Sequence, residues 1–497
     1  MGKLYQLYKK CSHMAFVSTC AYFASDRIQP LWDKNRRYVC KKVKSKADNS
    51  VSKEKKAMCE VKIAYICDEM TYQSFAGLTQ SVYLTPWNWY EVMEREKPDI
   101  FFCESAWSGI KEYEGCWRGR IYKNNKVKYN NRKVLFAILD YCRAKQIKTV
   151  FWNKEDPTFF GNQQNDFIDT ALKFDYIFTT CEECVEKYQK LGHARVMTLP
   201  FGLSPKIYNP MGSAEKENTA IFAGSWYPDM QERCAQMEEM FAQVLENGIR
   251  LEIYDRNYNN TKTVNHFPEK YQKYVSGFVP FEEMGRKVKH ARYAVNINSV
   301  TDSKTMFARR VFEMMASNVC IISNESVGMR EMFGGRVWFA GEKFDTAHLK
   351  EICRENVQEV LENHTNAVRM KKLLTELALL KETEKTKVAV VTTREITQET
   401  VQECTQECEG LEISYCASLE GIPKTADYFV VEKEKAFGEK EIRQMLVHYQ
   451  YLEHTIGVYF GEERYRVTES DEWTDTLFHI GNLAAVKECK TVVRYGI

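Results

Sequence analysis

Arg309, Arg310 and Glu313 stand one helical turn apart in the stretch NINSVTDSKTMFARRVFEMMASNVCIISNES, residues 296–326. The pattern predicts a strand at 293–297, a loop at 298–303, a helix over 304–317 begun by capping oxygens from Thr301 to Ser303, and a second strand, VCIIS. Asn318 after the helix suits a left-handed cap. In an open parallel sheet, ligands sit beyond the carboxyl ends of the strands, so the loop and the first helical turns would face that crevice. Free backbone N–H groups and two guanidinium groups there favour a phosphate, and Glu313 can accept hydrogen bonds from a ribose diol. The competing reading makes Arg309 and Glu313 an i,i+4 surface ion pair.

A second constellation follows the apolar run TVFWN. Glu155 and Asp156 are adjacent carboxylates at a strand end, with Pro157 forcing an extended or turning backbone. Such a carboxylate can deprotonate a hydroxyl as it attacks an electrophilic carbon. An Asx-type turn anchor is the alternative for Asp156. After the run DIFFCES comes AWSGIKEYEGCW, in which Trp107 offers a flat apolar face to a sugar ring and Gly109 lets backbone approach a ligand. Core filler beside a glycine turn is the plain reading of that tryptophan. His193 follows a predicted helix and is read as structural, and Tyr254-Asp255 end another strand.

Composition narrows the classes. The 497 residues are 44% hydrophobic and 28% charged, ordinary for a globular protein of two to four domains. The net charge of +2 conceals a basic arm, because residues 1–60 carry 14 Lys/Arg against 5 Asp/Glu. The mildly acidic remainder excludes a nucleic-acid-binding body, while the arm suits peripheral contact with an anionic membrane surface. Seventeen cysteines in a chain of this length read as reduced thiols of a cytoplasmic protein, and Cys181-x-x-Cys184 lacks the partners of a zinc set. No apolar run approaches the about 18 residues of a membrane span. The segment 14–24 lacks the features of a signal peptide.

Strands alternating with helices predict the architecture. Residues 1–60 are an extension and linker. Residues 61–202 carry VKIAYIC, DIFFCES, TVFWN, YIFTT and VMTLP, with helices near 85–97, 133–144, 165–173 and 182–190. Residues 203–383 carry IFAGS, LEIYD, GFVP, YAVNI, VCIIS and VWFAG. Residues 384–497 begin a third alternation, with VAVVTT, a helix near 398–408, LEISYC, DYFVVE, a helix over 439–454 and TIGVYF. The expected fold is α/β, two doubly wound parallel-sheet domains facing a cleft, plus a smaller C-terminal α/β domain.

The phrase RVFEMMASN followed by a strand and SNES resembles the donor-site helix of the CgeB-like glycosyltransferases, a bacterial GT-B family of two Rossmann-like domains. ESAWSG and EDP have similar counterparts there. The resemblance covers roughly residues 61–340. It departs from the family at Asn318, where glycine is usual, and at Thr305, which leaves the E-x7-E pattern of many retaining enzymes incomplete. It implies a polysaccharide-biosynthetic enzyme that moves a sugar from a nucleotide-sugar to a carbohydrate or glycoconjugate acceptor. Gly224, Ser225, Arg233, Arg309, Arg310 and Glu313 would bind the donor, Trp107 and Gly109 the acceptor, and Glu155 or Asp156 would act as base. No metal or other cofactor is expected, because Arg233 and Arg310 would neutralise the departing diphosphate. The third domain resembles a reduced GT-A domain in which Glu432-Lys433-Glu434 replaces the metal-binding D-x-D, so it is read as accessory. A GT-B sugar-nucleotide epimerase and a catalytically silent scaffold are the alternatives.

Overall fold

The computed structural model describes residues 54–124, 131–213, 215–343, 346–382, 384–392, 410–433 and 435–497. Residues 1–53 of the basic arm, the predicted helix at 398–408 and Glu434 lie outside the described residues. The chain forms two compact units. One comprises the described residues up to Phe201 with Ser303–Met306 and Asn366–Lys381, and the other holds the rest.

The first unit is built on a parallel sheet of β1 (Lys62–Ile66), β2 (Gln80–Tyr83), β3 (Ile100–Glu104), β4 (Lys148–Asn153), β5 (Tyr176–Thr179) and β6 (Val196–Thr198), in the order β2-β1-β3-β4-β5-β6. β1, β3 and β4 are apolar along nearly their whole length because helices cover both faces, and Ile63, Phe101, Phe102, Val150 and Phe151 are fully buried. The chain reverses its direction of travel across the sheet between β1 and β3, which opens a crevice at their carboxyl ends. β2 carries no strong apolar run and was not anticipated. The helix expected from 85 starts at Trp89, because Thr85 and Asn88 bond each other's backbone N–H groups in a separate turn.

In the second unit, β7 (Glu217–Gly224), β8 (Arg250–Asp255), β9 (Ala291–Asn296), β10 (Cys320–Ser323) and β11 (Trp338–Phe339) form a parallel sheet in the order β11-β10-β9-β7-β8. Here the reversal lies between β7 and β9. GFVP is not a strand; it follows an isolated bridge between Ile253 and Val275. The helix expected at 304–317 is confined to Arg310–Ala316. Its missing first turns are explained by Ser303, whose hydroxyl accepts from Thr305 and Met306 N–H in a local turn, and by residues 303–306 belonging to the first unit. Asn318 does adopt the left-handed conformation, with φ 60°.

Helix Asn366–Glu376 corrects the expected domain boundary at 383. Met370, Leu373, Leu374 and Leu377 enter the core of the first unit. The third sheet belongs to the second unit and is larger and more mixed than its sequence suggested. β12 (Thr386–Val391), β13 (Leu411–Cys416) and β14 (Tyr428–Val431) pair in parallel, and β15 (Ile456–Arg464), β16 (Val467–Ser470), β17 (Thr476–His479) and β18 (Val492–Gly496) extend them to seven strands. Among the described residues no helix is long and apolar enough to cross a membrane.

Ala378, exposed just past helix Asn366–Glu376, is held at φ 52° while Leu379 N–H bonds to Leu374 C=O. An alanine there costs about 1 kcal/mol relative to glycine. Ala378→Gly is therefore expected to raise the denaturation midpoint, measured by circular dichroism. A lowered midpoint would show that the cap is not strained.

Candidate functional site

In the second unit the chemistry gathers at the reversal between β7 and β9. Gly224 ends β7, and a Cβ on it would come within 2.8 Å of the Phe222 ring and 3.4 Å of Arg310 Nη1. Glycine there makes room for the Phe222 ring, and the Arg310 guanidinium lies 5.5 Å from the centre of that ring. Arg310 Nη1 is sealed from solvent with no hydrogen-bond partner among the described residues, and so is Oγ of the buried Ser225, the residue after Gly224. Arg233 reaches the same place, donating to the Ser225 carbonyl at 3.3 Å with its guanidinium 5.3 Å from the Tyr227 ring centre. Burial, aided by Arg256 and Arg233, pulls the Arg310 guanidinium down to about 10, so it still carries its charge at neutral pH.

The neighbouring carboxylate does not cancel this charge. Glu313 is 6% exposed and binds Arg309 Nε at 2.7 Å. The pair is therefore buried rather than a surface ion pair, and burial raises the Glu313 carboxyl in spite of both arginines. Asparagines hold the preceding loop. Asn298 accepts from Ala308 N–H at 3.0 Å, its own N–H donates to Asn324, and Asn324 donates on to Gln236 at 2.8 Å. Tyr254 is turned to Glu252 (2.6 Å), and Asp255 caps the turn at Asn257, so neither is brought to the arginines.

In the first unit the two predicted carboxylates part company. Asp156 has no exposed surface. Asn153 donates to its Oδ1 at 2.8 Å, and Thr179 (2.7 Å) and Tyr188 (3.2 Å) donate to its Oδ2. Burial raises its carboxyl to about 7. All three donors are side chains, so Asp156 ties β4, β5 and the helix Glu182–Lys190 together rather than closing an Asx turn. Glu155 is half-buried, takes a hydrogen bond from Trp107 Nε1 at 2.9 Å, and is also raised by burial.

The predicted acceptor platform is otherwise occupied. The Trp107 ring is packed by Tyr122, Phe159 and Phe167, with centroids 5.2 to 5.6 Å away. Gly109 has φ 113°, gives its N–H to Asp68 at 2.7 Å, and has Tyr83 Oη and Cys116 Sγ where a Cβ would stand. Its glycine is required by the protein's own packing rather than by a ligand.

Three residues not singled out from the sequence complete this corner. Asp68, after β1, accepts the N–H groups of Trp107, Ser108 and Gly109. Lys154 Nζ lies 3.1 Å from Glu104 and 3.4 Å from Asp68, and Glu104 also accepts from Asp68 N–H and from Thr71. The available signal was positional: each ends a strand or follows one directly, and Glu104 opens ESAW. His193 bonds the Phe174 carbonyl at 2.9 Å, the structural role expected of it. Cys181 and Cys184 are buried without forming a metal set, and among the described residues no group of three His, Cys, Asp or Glu side chains gathers as one. Glu432 accepts from Phe437 N–H, and Lys433 pairs with Glu472.

Residues 233–375 match the family model described as glycosyl transferase-like. This is a glycosyltransferase-like segment. It contains Arg233, Arg309, Arg310 and Glu313 and covers less than a third of the chain. No curated protein matches the sequence. Among solved structures, TarM is similar at 10% identity, TM-score 0.36, over 57% of each chain, so the match spans little more than half of that protein. A glycosyltransferase from Rickettsia africae ESF-5 is similar at 9% identity and TM-score 0.42 over 65% of this chain and all of the other. An alpha-glucosyltransferase in complex with UDP-glucose and DNA containing an abasic site gives 9%, 0.43, 64% and 100%. Likeness at this level carries no argument about activity.

The Asp156 geometry sets a pH dependence. Its folded value of about 7 lies above the ordinary 3.8, so its contribution to stability is present at about pH 4 and is lost as pH rises through 7. Asp156→Asn removes that loss. Its denaturation midpoint relative to the parent protein is expected to climb between pH 4 and pH 8, by at most about 1.4 kcal/mol per pH unit. A difference that stays constant across this range would contradict the assignment.

Proposed function

We propose that the protein is a glycosyltransferase that binds a nucleotide-sugar through the β7 and β9 strand ends of its second unit and needs no metal ion to neutralise the diphosphate. The observation that carries this reading is the unpartnered Arg310 Nη1 and Ser225 Oγ near the end of β7. A sealed donor without an acceptor is costly to the free protein, and a phosphate oxygen bound there would satisfy it. Arg233 would add a second charge, and Glu313, steadied by Arg309, would take the ribose. The glycosyltransferase-like match over residues 233–375 agrees with this use of the segment.

For the acceptor side we propose Glu155 as the base, oriented by Trp107 Nε1–H, with Asp156 positioning the loop and performing no proton transfer. The Lys154–Glu104–Asp68 cluster would fix the backbone around it. The resemblance of RVFE, ESAW and EDP supports a relation to the CgeB-like enzymes and hexosyl transfer to a glycan, lipid or protein. The buried free thiols, among them Cys67, Cys103 and Cys142, suit a reducing cytoplasm.

Calorimetry with UDP, GDP, CDP and dTDP tests the donor reading. At least one should bind. Arg310→Ala should weaken it about 10- to 100-fold, the value of a charge-assisted hydrogen bond. No binding of any of the four, or equal binding by the variant, would contradict it. Arg310→Met supplies an independent check, because removing an uncompensated buried charge should leave the free protein melting no lower than the parent. A large fall in its melting temperature would mean that Arg310 is a structural residue.

A further inference from the structure

A cavity of about 210 Å³ lies within the second unit, between helix Leu349–Asn363 and the third sheet with its helix Glu439–Leu446. It lies below the ~300 Å³ at which drug-sized sites begin, so its occupant is small. His448 forms part of its wall. This side chain is 3% exposed, and burial lowers its imidazole to about 3, so it is neutral. Tyr451 gives its hydroxyl proton to Tyr495 at 3.1 Å, so its oxygen accepts Nδ1–H from His448. That leaves the Nε2 lone pair toward the cavity, with no partner among the described residues.

Two further polar groups on the same wall are unpartnered. Tyr465 is 4% exposed, yet its hydroxyl makes no hydrogen bond among the described residues and is not sealed from solvent. The half-buried Gln444 amide has no partner either. The cavity thus offers one pure acceptor, one amide able to do both, and one hydroxyl. An array of ligand hydroxyls can satisfy these valences.

Charge excludes the other ligand classes. The wall carries two guanidinium groups, Arg336 and Arg354, and three carboxylates, Glu355, Glu359 and Glu362. Arg336 is spent on the Phe333 and Met332 carbonyls, and Glu359 lies 3.4 Å from His364. Neither sign dominates, and the neutral imidazole draws no anion. Val357 and Ile497 supply apolar wall for ring C–H groups, while the Phe460 ring is already engaged by the Lys435 ammonium and by Phe437.

We propose that this cavity is a saccharide subsite that takes one uncharged pyranose ring, separate from the diphosphate site. It would hold part of a glycan without touching the reacting atoms. The inference rests on the cavity alone and stands or falls independently of the nucleotide reading.

Saturation-transfer NMR on the full chain tests it, with D-glucose, D-galactose, N-acetyl-D-glucosamine and L-rhamnose as probes at millimolar concentration. At least one should receive saturation at its ring protons. Gln444→Leu and Tyr465→Phe should each reduce that transfer several-fold, with an unchanged melting temperature showing that the variants fold. An excess of the four nucleoside diphosphates should leave it in place. Transfer to none of the sugars, equal transfer in both variants, or displacement by a nucleoside diphosphate would overturn the proposal. So would a stronger signal for glucose 6-phosphate than for glucose.

Discussion

A guanidinium N–H that the protein seals from solvent without an acceptor among the described residues is the constraint on which the rest of the second unit depends. Arg310 Nη1 is sealed in without a partner, Arg233 and Arg256 add to the same field, and the nearest carboxylate, Glu313, is committed to Arg309. Several local features exist to permit this. Gly224 clears the strand end, Phe222 offers its ring, and the asparagine links from Asn298 through Asn324 to Gln236 fix the loop that delivers the arginines. Each would be unnecessary in a protein that paired its arginine. In the proposed reading, a diphosphate would supply the acceptor that this N–H lacks.

The first unit treats charge in the opposite way. Lys154 is held between Glu104 and Asp68, and Asp68 is further satisfied by three backbone N–H groups. Asp156 has both oxygens filled. This network closes on itself and spends its charges on the shape of the loops after β1, β3 and β4. What it leaves for chemistry is Glu155, whose ordinary acidity is weakened by burial and whose orientation is set by an indole N–H. The two units share a strand order with one reversal beside the first strand.

The sequence made much of this legible, because fully apolar strands such as IFFCE and TVFWN and the amphipathic helix at 182–190 announce themselves by pattern. The arginine pair was legible by type and by its place after a strand. What stayed hidden was set by contacts far along the chain. The helix before Arg310 was expected to begin at 304, yet Ser303 turns the backbone there. Helix Asn366–Glu376 reads as the tail of one domain and buries its leucines in the core of another unit. Trp107 and Gly109 have composition suited to a sugar platform, and only the three surrounding rings and the bond to Asp68 show that they are internal. The last three strands of the third sheet, β16 to β18, are only four or five residues long, so period and propensity gave them little signal.

The most direct measurement of the central claim is a crystal structure of the protein with the nucleoside diphosphate that binds it best. The account predicts a phosphate oxygen within hydrogen-bond distance of both Arg310 Nη1 and Ser225 Oγ, with Arg233 alongside. A diphosphate bound elsewhere while Arg310 Nη1 stays bare, or a diphosphate held at the Arg310 site through a divalent cation, would contradict it.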